Sequence, residues 1–200
     1  MASSTDRKKP TGRDSVRNAL IQSATILCAE KGPSLVSVRE VAKHAGVNHG
    51  LVHRHFGSKE GLITEVMHRL ANEVNTTLGP QRSDETLPEL LPQLLGDRTR
   101  IGAHWRIIAH AILAGEDPTE LQSEFPVFKR LVSAAENSLG PNCNPEAVAT
   151  LLVSSGLGLM LFNPFLKAAS GQNDADWERT RQGMYAMLVN AIKPAPSNSP

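Results

Sequence analysis

Apolar residues along this chain recur at three- and four-residue steps from near residue 14 to near residue 192, and no stretch sustains the alternation of a strand. The predicted fold class is therefore all-α. Val16, Ala19, Leu20, Ala24 and Leu27 place a first helix over about 14–31, stopped by Gly32-Pro33. Ser37, with Glu40 three residues on, makes a capping box ahead of the short stripe Val38, Val41, Ala42 and Ala45. Gly46 ends that helix. Asn48 can cap a third helix through Phe56, and Ser58 a fourth from Lys59 to about Leu78. Gly79-Pro80 and the polar residues to Thr86 mark the best domain boundary, beyond which helices are predicted near 86–95, 98–114, 118–138, 145–169 and 174–192. Ile101, Trp105, Ile108 and Ile112 form one stripe there; Trp177, Arg181, Met184, Leu188 and Ile192 form another.

The turn Gly46-Val47-Asn48 between the second and third helices is tight enough to make them cross steeply, so that the third can protrude into a groove of helix width. At about 100 degrees per residue, Val52 and Phe56 face the core while Gly50 and Arg54 point the other way, flanked by His49 and His53. Such a face is small, basic and rich in hydrogen-bond donors. Gly50 lets a backbone approach bases or sugar-phosphate closely, Arg54 can donate bidentately to guanine, and the histidines can meet bases or phosphates. Lys59 stands in the first turn of the next helix, where backbone N–H groups already favour an anion. His55 is expected as a packed flank residue.

Three segments resemble the DNA-binding signature of the tetracycline-repressor (TetR) family: Ser37-Val38-Arg39-Glu40-Val41-Ala42, Ala45-Gly46-Val47-Asn48-His49-Gly50, and His55-Phe56-Gly57-Ser58-Lys59-Glu60-Gly61-Leu62. The likeness spans about residues 14–70. It implies a helix-turn-helix domain joined to a C-terminal helical ligand-binding and dimerisation domain, a homodimer formed by the last two long helices, and release from operator DNA on binding a small molecule. Position by position it implies DNA contacts from Ser37, Arg39, Asn48, His49, Gly50, His53, Arg54 and Lys59. His53 departs from the family, which usually has an aromatic there. The expected organisation is a disordered basic arm over 1–13, a DNA-binding domain over 14–78, a ligand-binding and dimerisation domain over 79–193, and a disordered tail over 194–200.

Charge sharpens this picture only when the chain is divided. The formal net charge is +1, yet residues 1–60 hold ten Lys/Arg against five Asp/Glu, a balance of +5 that leaves about −4 for the rest. Arg7, Lys8, Lys9 and Arg13 crowd the N-terminal arm without the apolar stretch of a secretory signal. The most apolar run, Leu151 to Phe162, is broken by Ser154 and Ser155 and ended by Asn163-Pro164, so no membrane span is expected. Cys28 and Cys143 are the two cysteines and suggest neither a disulfide framework nor a zinc ribbon, which fits a cytoplasmic protein. His49 and His53 have metal-ligand spacing but no third ligand nearby, and no phosphate loop, nucleophile elbow or paired-carboxylate pattern occurs; no metal, cofactor or enzymatic activity is expected. A hydrophobic effector with one polar group is expected among His104, Trp105, Ile108, Ile112, Phe125, Phe128, Met160 and Phe162, with Leu161 nearby, since aromatic and methionine side chains between helices suit apolar ligands.

Overall fold

The computed structural model describes residues 10–96, 98–122, 124–140 and 144–192, with side chains outside the description at 95, 96, 98–101, 118, 185, 188, 189, 191 and 192. Among the described residues there are helices and connecting turns but no strand. They are α1 (Arg13–Lys31), α2 (Val38–Ala45), α3 (Gly50–Phe56), α4 (Lys59–Thr77), α5 (Leu87–Gly96), α6 (Arg98–Leu113), α7 (Pro118–Leu121), α8 (Pro126–Leu139), α9 (Pro145–Ser170) and α10 (Asp174–Ile192). Arg7, Lys8, Lys9 and Cys143, and the side chains of Ile101, Leu188 and Ile192, lie outside the described residues.

The chain forms two compact units, one of Met1–Asn72 with Arg100–Ser123 and the other of Glu73–Thr99 with Glu124–Pro200. This division differs from the boundary read at Gly79-Pro80: α4 changes unit within its length, and Arg100–Ser123 joins the first unit. The cause is the buried face of α6. Ile107 and Ile108 lie in one apolar cluster with Leu20, Ala24, Val41, Val52, Leu62 and Met67 of the first four helices. Full burial of side chains this size contributes about 1.5–3 kcal/mol each, ample reason for α6 to be held there.

In the second unit α8 packs against α9 and α5, and α10 against α5. Its core includes Leu78, Leu87, Leu90, Leu131, Leu152 and Leu159, with Trp177 donating its indole N–H to Asn163 Oδ1 at 2.9 Å. Arg130, on α8, is buried in a bidentate pair with Glu85, at 2.5 Å from Nε and 2.6 Å from Nη2. It also donates to the carbonyls of Leu78 at 2.9 Å and Gly79 at 2.8 Å, satisfying acceptors left over at the end of α4. Asn137 holds the carbonyls of Ser83 and Glu85 at 2.9 and 2.8 Å, so one helix grips the whole α4–α5 connection.

Two sequence expectations are corrected here. The helix predicted over 118–138 is two, α7 and α8, because Pro126 disfavours helical conformation at Phe125, which has φ −121° and ψ 63°. The stripe predicted for α6 is rotated: His104, Ile107, Ile108 and Ala111 are buried, whereas Ile112 is 54% exposed.

Candidate nucleic-acid interface

The segment from Ser37 to Gly61 is built from caps. Ser37 accepts the Glu40 N–H at 3.2 Å, and Glu40 Oε2 in return accepts the Ser37 N–H at 2.9 Å and its hydroxyl at 2.9 Å. These bonds from Ser37, with the Lys31 ammonium 3.3 Å away, hold the Glu40 carboxyl down to about 2. Gly46 closes α2 in the left-handed region at φ 71°. Asn48 Oδ1 then takes the Gly50 N–H at 2.8 Å, which fixes the entry to α3. Ser58 does the same for α4, accepting the Gly61 N–H at 3.1 Å.

With its entry and exit fixed, α3 divides into two faces. Val52 is fully buried, Phe56 is half-buried, and Gly50, His53 and Arg54 are exposed together with His49 just before the helix. Arg17 of α1 covers the inner side, its guanidinium 5.7 Å from the Phe56 ring centroid and 2.5 Å from a Glu65 oxygen. The side chains of Arg39, His49 and Arg54 make no hydrogen bond or ion pair among the described residues, so their donors are turned outward. Ser37, Asn48, His53 and Lys59 have local tasks. His53 Nδ1 lies 3.1 Å from the Gly57 carbonyl, a geometry that puts its proton on that nitrogen. Lys59, read from the sequence as a phosphate contact, donates to the Ser34 carbonyl at 3.1 Å and is half-buried. Its charge also works against the burial that pushes the Cys28 thiol up to about 11.

Sequence reasoning missed several residues that hold this face in place. Gly61 passes the end of α3 so closely that a Cβ there would stand 2.2 Å from the Phe56 carbonyl oxygen. Ser23, buried in α1, bonds His44 Nδ1 at 2.9 Å, and Arg69 reaches Asn18 at 3.0 Å. Only the local bonds, two or three residues long, had a readable spacing; these longer-range partners had none.

The eight residues expected around an effector are divided between the two units. His104 is buried with its ring edge-on to Trp105, centroids 5.2 Å apart, and Ile108 belongs to the first unit's core. In the second unit Phe125 and Phe162 are 42% and 59% exposed, while Phe128 and Met160 are half-buried. Among the described residues no group of three or more His, Cys, Asp or Glu side chains could hold a metal ion.

Residues 20–66 match the family described as bacterial regulatory proteins, tetR family. The HTH-type transcriptional repressor Rv3405c of Mycobacterium tuberculosis is 33% identical over 95% of this chain and 96% of its own. Two solved structures share the fold. The putative transcriptional regulator SCO4942 of Streptomyces coelicolor has a TM-score of 0.67 at 22% identity, covering 88% of this chain and 96% of that one. NalD, the secondary repressor of the MexAB-OprM multidrug efflux pump in Pseudomonas aeruginosa, has a TM-score of 0.52 at 25% identity, covering 88% and 97%. With its cap-defined helix-turn-helix and a relative similar over nearly the whole length of both chains, this chain is a helix-turn-helix transcriptional regulator and belongs to the TetR family.

Proposed function

We propose that the protein is a cytoplasmic homodimeric repressor that reads double-stranded operator DNA through α3 and leaves it when a small hydrophobic effector binds, without enzymatic activity or cofactor. The observation that carries this reading is the outward face of α3, where Arg54 and His49 are exposed beside the bare backbone of Gly50 while Val52 behind them is fully buried. Arg54 is the base reader, Lys59 meets a backbone phosphate, Arg39 and His49 are phosphate or base contacts, and Ser37, Asn48 and His53 set the backbone that carries them. Residues 14–78 supply the DNA-reading part and 79–193 the effector and dimer contacts, with 1–13 and 194–200 as tails.

NalD, the secondary repressor of a multidrug efflux pump, supports the repressor role. The apolar side chains exposed on α9 and α10, Leu151, Leu161, Phe162, Phe165 and Met187, favour pairing with a second copy.

Selection of bound duplexes from a random library by the full-length protein tests this reading. A two-fold symmetric site should emerge, with half-sites about one DNA turn or a multiple of it apart. Arg54→Ala should then lose about 1–3 kcal/mol at one base position of each half-site and relax the preference there. Enrichment of no sequence at all, or one Arg54→Ala leaves unchanged, would remove the base-reading role.

A further inference from the structure

The buried face of α6 is not wholly apolar. His104, Ile107, Ile108 and Ala111 fall at helical spacing and are 3%, 0%, 8% and 0% exposed, so a histidine stands where packing alone asks for leucine or phenylalanine. The Gln122 side chain hydrogen-bonds to its ring, and Trp105 meets it edge-on at an interplanar angle of 89°. Ring nitrogen Nδ1 is nonetheless buried with no hydrogen-bond partner. Folding strips this atom of water and returns nothing, and native proteins keep few such atoms.

The imidazole is also uncharged. Burial pushes its pKa down to about 4, against the opposing pull of the Gln122 bond. A neutral ring has one nitrogen that donates and one that accepts, and it offers no charge to an anion. Arg106, two residues on, is exposed.

We propose that His104, with Gln122 bonded to it, is the polar anchor of the effector site, and that it selects a neutral hydroxyl or amide head group on an apolar body rather than a carboxylate or phosphate. This rests on the reading of the chain as an effector-released regulator. A hydroxyl or primary amide can either give or take a hydrogen bond, so it satisfies Nδ1 whichever tautomer the Gln122 bond selects. Among the described residues no charged side chain acts on the ring, so an anion there would enter an apolar interior uncompensated. The anchor lies close to the DNA-reading core within one compact unit. Ile107 and Ile108 share a buried cluster with Val52 of α3, and a Cβ on Gly32, at the end of α1, would stand 3.0 Å from His110 Cβ. Filling the site at His104 therefore acts on the packing behind the recognition helix.

The test is the thermal melting of full-length parent, His104→Phe and His104→Gln, alone and with naphthol, naphthamide and naphthoate, three probes that share a body and differ in the head group. Naphthol and naphthamide should raise the parent's melting temperature and naphthoate should not. His104→Phe, which gives up the Gln122 bond and every donor and acceptor of the ring, should bind naphthol at least tenfold more weakly than the parent; His104→Gln, which keeps a donor and an acceptor, should recover part of the shift. Four results would each overturn the anchor: a His104→Gln protein that recovers none of the shift, naphthoate as effective as naphthol, a naphthol shift unchanged in His104→Phe, or no naphthol shift in the parent. Binding of parent to its selected duplex is measured alongside. If that binding is absent the regulator reading fails; if it is present with any of the four results, only the anchor fails.

Discussion

Two glycines a short distance apart show how differently single residues serve this fold. At Gly61 any side chain would press on the Phe56 carbonyl oxygen, 2.2 Å from where its Cβ would stand, and a backbone oxygen cannot swing aside as a side chain can. Gly61→Ala must therefore displace the start of α4 from the end of α3. We expect it to cost about 1–3 kcal/mol in urea unfolding, as overpacking does, and to weaken DNA binding along with it. Gly50→Ala meets only Asn48 Oδ1 at 3.3 Å, and alanine is the better helix former. Its stability should change by no more than about 0.5 kcal/mol while DNA affinity falls, because the added methyl stands on the outward face. A Gly50→Ala protein with parental affinity would show that no backbone of DNA or protein approaches there. Lys59 combines both kinds of role, since its ammonium ties α4 to the Ser34 carbonyl. Lys59→Ala should weaken binding to all duplexes nearly uniformly and reduce the salt slope by about 1 per subunit, with a measurable loss of stability besides.

At the scale of elements, α2 depends on a box that pH can dismantle. Glu40 ionises at about 2 in the folded chain against an ordinary 4.5, so its contribution is complete above the higher value and is lost as pH falls toward the lower. Glu40→Gln should accordingly be less stable than the parent at neutral pH, and the difference should close on acidification; a gap that persists at the acid end would assign the effect to packing instead. Ser37→Ala, which removes the other half of the box, should cost about 1 kcal/mol. This box was legible in the sequence because its two residues are three apart; the bonds of Asn48 to Gly50 and of Ser58 to Gly61 are as local, although the residue that directly precedes α3 is His49, which makes no capping bond. Where pairing is distant, legibility ends. Nothing near Arg130 in the sequence points to Glu85, 45 residues away, and the stripe drawn through Ile101, Trp105, Ile108 and Ile112 missed the true buried face of α6. Hydrophobicity alone cannot supply that face, because one of its four members is His104 and another is alanine. The effector residues, chosen for apolar bulk apart from His104, are core, half-buried or exposed according to what packs on each.

For the molecule as a whole, the unresolved demand is made by α9. An 18-residue window of this helix has a mean hydropathy of 1.6, and only 17% of it is buried within the subunit. By length and composition the helix could cross a membrane, but its surroundings argue for a protein partner. Asn163 inside it is engaged by the Trp177 indole of α10, Lys167 pairs with Asp174, and α8 packs against it. What remains uncovered includes Leu151, Phe162 and Phe165 on α9 and Met187 on α10, at 57%, 59%, 68% and 73% exposure. Stable interfaces bury about 1,200–2,000 Å² in total with an apolar centre, and two recognition helices held about 34 Å apart require a two-fold axis. Both needs are met if the α9–α10 faces of two subunits pack as a four-helix bundle. Phe165→Glu and Met187→Glu place a carboxylate at the centre of that contact, where each would lose its hydration without gaining a partner. Because both side chains are exposed in the subunit, neither change should unfold it, so the variants should keep parental helical circular dichroism. In light scattering the parent should have twice the chain mass and each variant should approach one; gel shifts should then show operator affinity falling by orders of magnitude, since each half-site is bound alone. A parent that is monomeric at the same concentration, or one that floats with lipid vesicles while remaining monomeric, would give this face to something other than a second copy.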